Sequence, residues 1–180
     1  MAAALVVLAV VVVLVLSVLG YGGLVRRRDQ VESAWGQVDM EFRRRSELIP
    51  SLVETVNGYA AHERGTLEAV TEARARALSA HGPVDQASAE SALTSALKSL
   101  FAVVESYPDL RASQSFLELQ RELSATEDRA AYARQYYNDA VLTYNNAVTT
   151  VPQRLLAAVL RFRTREYFQT GGEELGPVRV

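Results

Sequence analysis

The chain opens with an unbroken apolar run, and apolar positions then recur with a helical period. Residues 2–20, "AAALVVLAVVVVLVLSVLG", are almost entirely Ala, Val and Leu. With "YGGLV" added, the run covers about 24 residues, or roughly 36 Å of helix, enough to cross a hydrocarbon core of about 30 Å. A cleaved signal peptide is the alternative, but no basic residue precedes the run and no Ala-x-Ala follows it. The pattern favours an uncleaved membrane anchor at residues 1–25.

Four later segments carry apolar side chains at spacings of three and four, which predicts amphipathic helices. The first three stripes run over residues 31–42, 52–70 and 89–104. The fourth helix is predicted from about Ser113 to Thr150, and its apolar face is Phe116, Leu119, Leu123, Thr126, Ala130, Ala133, Tyr137, Ala140, Tyr144 and Ala147. Alternating β-branched runs are absent from the sequence, and no Asn-Gly pair joins two such runs. The predicted class is therefore all-α.

A proline interrupts the stretch "RRRSELIPSLVETVNGYAAHE", residues 43–63. In a helix interior Pro50 would remove one hydrogen bond and clash with the carbonyl of Ser46, at a cost of about 3 kcal/mol. The first position of a helix suits proline, so one interpretation is a helix turn at Ser46 and Pro50. The other is a continuous, kinked helix, because the apolar spacing carries across from Phe42 to Ile49 and Leu52. Local energetics favour the turn only slightly over the continuous, kinked helix.

Two long stretches and one short motif carry a resemblance to a known family: "LVRRRDQVESAWGQVDMEFRRRSELIPSLVETVNGYAAHE", "FLELQRELSATEDRAAYARQYYNDAVLTYNNAV" and the closing "REYF". They resemble the LemA family over nearly the whole chain. The resemblance implies a single-span membrane protein whose cytoplasmic part is an up-and-down antiparallel four-helix bundle, and it favours the turn at Pro50. It implies no catalytic residue, ligand or cofactor. "SEL" and "PSLV" depart mildly from the family pattern, and neither departure is expected to alter the fold.

The distribution of charge predicts the orientation of the anchor. All 19 basic and 21 acidic side chains follow residue 25. Arg26, Arg27 and Arg28 come directly after the apolar run, so the positive-inside rule places the N-terminus outside and residues 26–180 in the cytoplasm. The slightly acidic balance argues against general nucleic-acid binding. The expected organisation is an anchor at 1–25, a helical bundle at 26–150, an amphipathic basic helix at 151–170 and a flexible tail at 171–180.

The C-terminal stretch "PQRLLAAVLRFRTREYF", residues 152–168, sets apolar side chains against arginines. In an antiparallel bundle the fourth helix ends beside the bilayer, so this segment is a candidate for contact with an anionic leaflet. The alternative, which we favour slightly, is that its apolar face docks on the end of the bundle. The residues predicted for membrane-surface contact are Arg26, Arg27, Arg28, Arg161, Phe162, Arg163, Arg165 and Phe168.

The stretch "YARQYYNDAVLTYNNAV", residues 132–148, is unusually rich in tyrosine and asparagine. Tyr137 and Tyr144 lie seven residues apart and share a helical face with several alanines, which favours a tightly packed, hydrogen-bonded core. The functional alternative is a face that binds a peptide or protein partner, since aromatic and amide side chains suit such recognition. Its residues would be Tyr136, Asn138, Asp139, Asn145 and Asn146.

The sequence carries no recognisable catalytic or metal-binding motif. His62 and Glu63 begin "HERGT", but a His-Glu-x-x-His zinc motif needs a second histidine where Thr66 stands. With two histidines and no cysteine, a zinc site is not expected. Phosphate-binding loops and Gly-x-Ser-x-Gly elbows are also missing. We therefore expect no catalytic, metal-binding or cofactor-binding residues.

Three functions are compatible with this sequence. The first is a membrane-anchored interaction or scaffold protein at the inner membrane face. The second is an accessory or regulator of a membrane protease or envelope-stress system, which the sequence does not distinguish from the first. The third is an enzyme with a cryptic site. The expected partners are the membrane and unidentified proteins, without nucleic acid, and self-association stays open because "GYGG" offers small residues for packing between spans.

Overall fold

The computed structural model describes residues 2–151 and 153–169; for residues 2, 6, 9, 10 and 12–19 it describes the backbone alone. The regular elements in this part of the chain are all helical, so the predicted all-α class is confirmed. They are α1 (Ala2–Asn57), α2 (Arg64–Ser79), α3 (Gly82–Val104), α4 (Pro108–Arg111), α5 (Gln114–Thr149) and α6 (Gln153–Val159). The predicted flexible tail, residues 171–180, lies outside the described residues.

Short connections make the long helices antiparallel to their neighbours in sequence. Only residues 58–63 separate α1 from α2, and two residues separate α2 from α3. α5 returns along α1, because Gln30 of α1 contacts Tyr136 and the later Arg45 contacts the earlier Glu127. The order α1, α2, α3, α5 is therefore up, down, up, down, as the bundle prediction requires.

The core is divided into two clusters along the α1–α5 pair. In the distal cluster, the end of α1 packs with α2, α3, α4 and the start of α5 around Ile49, Leu52, Leu93, Leu100 and Phe116. In the proximal cluster, nearer the N-terminus of α1, the α1–α5 pair packs mainly with residues from the 153–169 range. Its core includes Leu24, Val38, Phe42, Tyr137, Tyr144 and Phe168. The bundle is thus four-helical in its distal half, and residues from the 153–169 range replace α2 and α3 in its proximal half.

The prediction for the fourth helix agrees closely with α5. Ser113 immediately precedes the helix and Thr150 immediately follows it. Every residue of the predicted apolar face is buried except Leu119, which is half-buried. The periodic spacing of that face was therefore a sufficient guide to which side of α5 enters the core.

The predicted helix turn at Ser46 and Pro50 is wrong, and the continuous alternative is what the structure has. α1 passes through Pro50 to Asn57, and the chain reverses at residues 58–63. Pro50 has no N–H to donate to the carbonyl of Ser46. Arg74 of α2 supplies the missing donor, since its Nε–H donates to that oxygen at 2.7 Å. A hydrogen bond between helices thus replaces the one that proline removes within α1.

We predict that Arg74→Ala lowers the free energy of unfolding by about 1–3 kcal/mol, because a partly buried carbonyl loses its donor. Pro50→Ala restores an N–H within α1, so the same Arg74→Ala change should lower the free energy less in that background. Urea unfolding of the four chains of this double-mutant cycle measures the coupling. Arg76→Ala, on the exposed side of α2, is the control. Equal losses in both backgrounds would contradict the explanation.

The predicted amphipathic helix at 151–170 forms only in part. α6 ends at Val159, Arg161 adopts a left-handed backbone (φ 58°), and residues 162–169 have no helical structure. α6 lies against α1 at Gly20, where an added Cβ would come within 2.7 Å of the Leu156 Cδ1 atom. Residues 153–169 therefore dock on the proximal end of the α1–α5 pair.

Within the part of the chain whose side chains are described, no helix is both long enough and apolar enough to cross a membrane. The predicted anchor, residues 1–25, includes residues outside that part, and it stays a prediction.

Candidate functional site

Residues 162–169, here called the docking segment, are bound through their backbone by two asparagines of α5. Asn138 donates from Nδ2 to the Phe168 carbonyl at 3.0 Å and accepts the Phe168 N–H at 2.9 Å. Asn145 makes the same pair of hydrogen bonds with Arg165, at 2.9 Å and 2.8 Å. Each amide side chain thus satisfies both backbone groups of one residue, as a neighbouring β-strand would.

Two tyrosines that precede these asparagines bind two further carbonyls. The Tyr137 hydroxyl donates to the Glu166 carbonyl at 2.8 Å, and the Tyr144 hydroxyl donates to the Arg163 carbonyl at 2.9 Å. Burial raises the pKa of Tyr137 to about 12, and burial also raises the pKa of Tyr144. Both hydroxyls therefore keep their protons at neutral pH and remain donors.

The Tyr-Asn face, which consists of Tyr137, Asn138, Tyr144 and Asn145, repeats a dipeptide at a spacing of seven residues. Seven residues of helix span about 10.5 Å. Its two asparagines bind Arg165 and Phe168, three residues apart, and three residues of extended chain span about 10 Å. The match explains why the predicted helix is absent here, because a helix would use the same backbone groups internally.

The side chains of Phe168 and Arg165 also hold the docking segment in place. Phe168 is buried, with its ring centroid 5.6 Å from that of Phe42 and with the Arg134 guanidinium 5.7 Å from it. The Arg165 guanidinium lies 2.9 Å from the Glu32 carboxylate on α1. The contacts therefore combine main-chain recognition with one aromatic pocket and one acidic partner.

The residues predicted for membrane contact have different environments. Phe168 is buried in the proximal cluster, so its predicted contact with the membrane is wrong. Phe162 is half-buried, because its ring packs edge-on against Tyr21 and lies 6.0 Å from the Arg28 guanidinium. The predicted residues that remain exposed are Arg26, Arg161, Arg163 and the paired Arg165, while Arg27 and Arg28 are half-exposed. Surface contact by these arginines stays a prediction.

The residues predicted for partner binding divide between two sides of α5. Asn138 and Asn145 hold the docking segment, whereas Tyr136, Asp139 and Asn146 are exposed. Sequence reasoning assigned Tyr137 and Tyr144 to the core, and it missed that their hydroxyls bind a backbone. The heptad repeat of Tyr-Asn was the signal that could have identified all four members of the Tyr-Asn face.

A second polar cluster joins the helices at the middle of the molecule. Arg45 is buried, and its Nη1 atom lies 3.1 Å from Glu90 Oε2 and 2.9 Å from Glu127 Oε2. Arg45 also donates to Thr94, and Gln86 donates to Glu90 at 3.1 Å. Burial raises the pKa of Glu90, while the charge of Arg45 opposes that shift. Glu127 Oε2 lies at ion-pair distance from Arg45 without a hydrogen bond, and the other charged groups are hydrogen-bonded to one another, which indicates a structural lock between α1, α3 and α5.

A groove between α1 and α2 has a volume of about 710 Å³. Its floor includes Ile49, Val53 and Leu67, and the carboxylates of Glu54 and Glu72 are on its exposed rim. Among the described residues, no group of three or more His, Asp and Glu side chains could hold a metal ion.

These features define a class: an all-α protein in which a long N-terminal helix pairs with a long C-terminal helix, and a Tyr-Asn face holds the docking segment. The LemA family model matches residues 34–180, so the chain belongs to the LemA family, as the resemblance implied.

The chain is similar to two magnetosome proteins and to a LemA protein. The magnetosome protein MamQ 2 of Paramagnetospirillum magneticum is 26% identical over 91% of this chain and 70% of its own length. The magnetosome protein MamQ of Magnetospirillum gryphiswaldense is 25% identical over 90% and 69%. Protein LemA of Metamycoplasma hominis is 25% identical over 81% of this chain and 67% of its own length.

Proposed function

We propose that this protein is a non-catalytic interaction protein, anchored by residues 1–25 at the inner face of a membrane with its helical body in the cytoplasm. The observation that carries the proposal is the continuity of α1, which joins the apolar run to the body as one helix. Leu5, Val7, Leu8 and Val11 are between 49% and 67% exposed, so the body does not cover them. Lipid would remove these side chains from water.

The position of α6 supports contact with the membrane surface. Its packing on Gly20 puts it beside the end of the predicted anchor. Leu155 and Val159 of α6 are 67% and 80% exposed. Arg26, which follows Gly20 in α1, is also exposed. Exposed apolar side chains next to arginines suit the boundary between headgroups and acyl chains. The names of the MamQ and LemA relatives describe no reaction, which agrees with a non-catalytic role.

Membrane fractionation of the full chain tests the anchor. Leu8→Arg with Val11→Arg should move the protein from the carbonate-washed membrane pellet to the supernatant, because each arginine at the centre of a span costs about 2.5–3.5 kcal/mol. Leu78→Arg with Val84→Arg, at exposed positions of α2 and α3, is the matched control and should stay in the pellet with the wild type. Wild-type protein in the supernatant would contradict the anchor.

The same cells test the orientation and the interaction role. The chain has no cysteine, so Ala3→Cys and Ser99→Cys each give one reporter thiol. An impermeant maleimide should label the Ala3→Cys variant in intact cells and the Ser99→Cys variant only after lysis. A photo-crosslinker in place of Tyr132, which is 75% exposed, should give discrete adducts in the membrane fraction. A chain that gives no crosslinked adduct would contradict the interaction role.

A further inference from the structure

We propose that the Tyr-Asn face is a receptor for extended peptides with an arginine followed three residues later by an aromatic residue, and that the docking segment is its built-in ligand. This inference rests on the proposed interaction role and names the chemical class of its partner. It does not depend on the anchor, so peptide binding and membrane fractionation can fail independently.

The first argument is that the face recognises main-chain atoms. The four side chains of the Tyr-Asn face make six hydrogen bonds with the docking segment, and each one ends on a backbone N–H or C=O. Such contacts are available to any extended chain, so they provide affinity without specifying sequence. The face is therefore able to bind an extended peptide in place of the docking segment, with the same pairing of backbone groups.

The second argument is that Arg165 and Phe168 make the most specific side-chain contacts of the docking segment, whereas Phe162 and Tyr167 are only partly buried against the proximal cluster. Glu32 takes the guanidinium of Arg165, and Phe42 with Arg134 encloses the ring of Phe168. The side chains of Arg163, Thr164 and Glu166 are exposed and contribute little to fit. A ligand of the pattern Arg-x-x-aromatic makes both the ion pair with Glu32 and the aromatic contact with Phe42.

The third argument is that the docking segment is able to leave without unfolding a helix. It follows Arg161, whose left-handed backbone (φ 58°) is one that residues other than glycine rarely adopt. It carries no helical structure of its own, and α1 and α5 remain paired by contacts elsewhere in the proximal cluster. Because a tethered ligand competes at an effective concentration of about millimolar, a free peptide binds well only when the tethered one is weakened.

The test uses the purified full chain in detergent and a fluorescein-labelled peptide with the sequence of residues 160–169, LRFRTREYFQ. Phe168→Ala in the protein weakens its own docking segment and leaves the Tyr-Asn face intact. Fluorescence anisotropy should show at least about tenfold tighter binding of the peptide to this variant than to the wild type. A peptide with alanine in place of the residue corresponding to Phe168 should lose that binding.

Matched variants decide whether the peptide occupies the proposed face. In the Phe168→Ala background, Asn138→Ala with Asn145→Ala should abolish binding, whereas Asn146→Ala should retain it because Asn146 is exposed beside the face. Arg165→Ala replaces Phe168→Ala if circular dichroism shows loss of helix. Absence of binding to a folded variant, or equal binding after loss of both asparagines, would overturn the proposal. Self-association of the variant without peptide would do so too, because the occupant would then be a second copy.

Discussion

Replacing Arg45 by methionine is expected to lower the free energy of unfolding by about 3–5 kcal/mol, the range for breaking a buried ion pair from one side. Arg45 is 5% exposed and Glu90 is 2% exposed, so water does not reach the carboxylate that the change leaves behind. Glu127 loses the same partner, and the two carboxylates that shared one guanidinium then repel each other. Urea unfolding of the full chain measures the loss.

The matched control for this change is Arg43→Met, because Arg43 is exposed and pairs with Asp39 only at the surface. Its effect should stay within about 1 kcal/mol. Adding Glu90→Gln to Arg45→Met should recover part of the stability, since the buried charge is then gone. A loss no larger for Arg45→Met than for Arg43→Met would show that the cluster is not a structural lock.

The pH dependence of the Arg45→Met variant follows from Glu90. Burial already holds the pKa of Glu90 above its ordinary value, so the folded state binds its proton more readily than the unfolded state does. The contribution of such a group is complete at low pH and is lost as the pH rises through the raised pKa. Without Arg45 to oppose the shift, the deficit of the variant should be largest at neutral pH and should shrink in acid.

The second large effect is expected from Asn138→Ala combined with Asn145→Ala. The pair of changes removes four hydrogen bonds to the backbone of the docking segment, each with a net value of about 0.5–1.5 kcal/mol. The helices should persist, because α1 and α5 remain packed through Val38, Phe42 and Val141. Trypsin should therefore cleave after Arg163 and Arg165 at least about thirtyfold faster, since four such bonds give at least about 2 kcal/mol and about 1.4 kcal/mol corresponds to tenfold.

Mass spectrometry of the released C-terminal fragments follows this cleavage residue by residue. Asn146→Ala makes the same kind of change at an exposed neighbouring side chain, so its cleavage rate should match the wild type. Release that is equally slow in the double variant would mean that Phe168 and Arg165 hold the segment without help from the asparagines.

The sequence was a good guide where one helix face determines the outcome. The apolar stripe of α5 and its flanking residues Ser113 and Thr150 depend on local spacing and capping, which a single sequence displays. The prediction of a turn at Pro50 was wrong because Arg74, which lies in α2, stabilises the continuous helix by donating to the Ser46 carbonyl. Rules that consider only neighbouring residues do not include a hydrogen-bond donor from another helix.

The same distinction explains the outcome at the C-terminus. Leu155, Phe162 and the arginines have the spacing of an amphipathic helix, and α6 follows that pattern as far as Val159. Beyond Val159, hydrogen bonds between the backbone and the side chains of Asn138 and Asn145 replace the hydrogen bonds of a helix. Asparagine was recognised as suited to binding, but its ligand, a segment of the same chain, became visible only with the fold.

Residue-resolved hydrogen exchange of the wild-type chain tests the central claim, that the Tyr-Asn face holds an extended docking segment. The amides of Arg165 and Phe168 donate to Asn145 and Asn138, so they should exchange slowly, at least about a hundredfold below the rate for unstructured chain. The neighbouring amides of Thr164 and Tyr167 should exchange much faster. Exchange of all four amides at the unstructured rate would contradict the account.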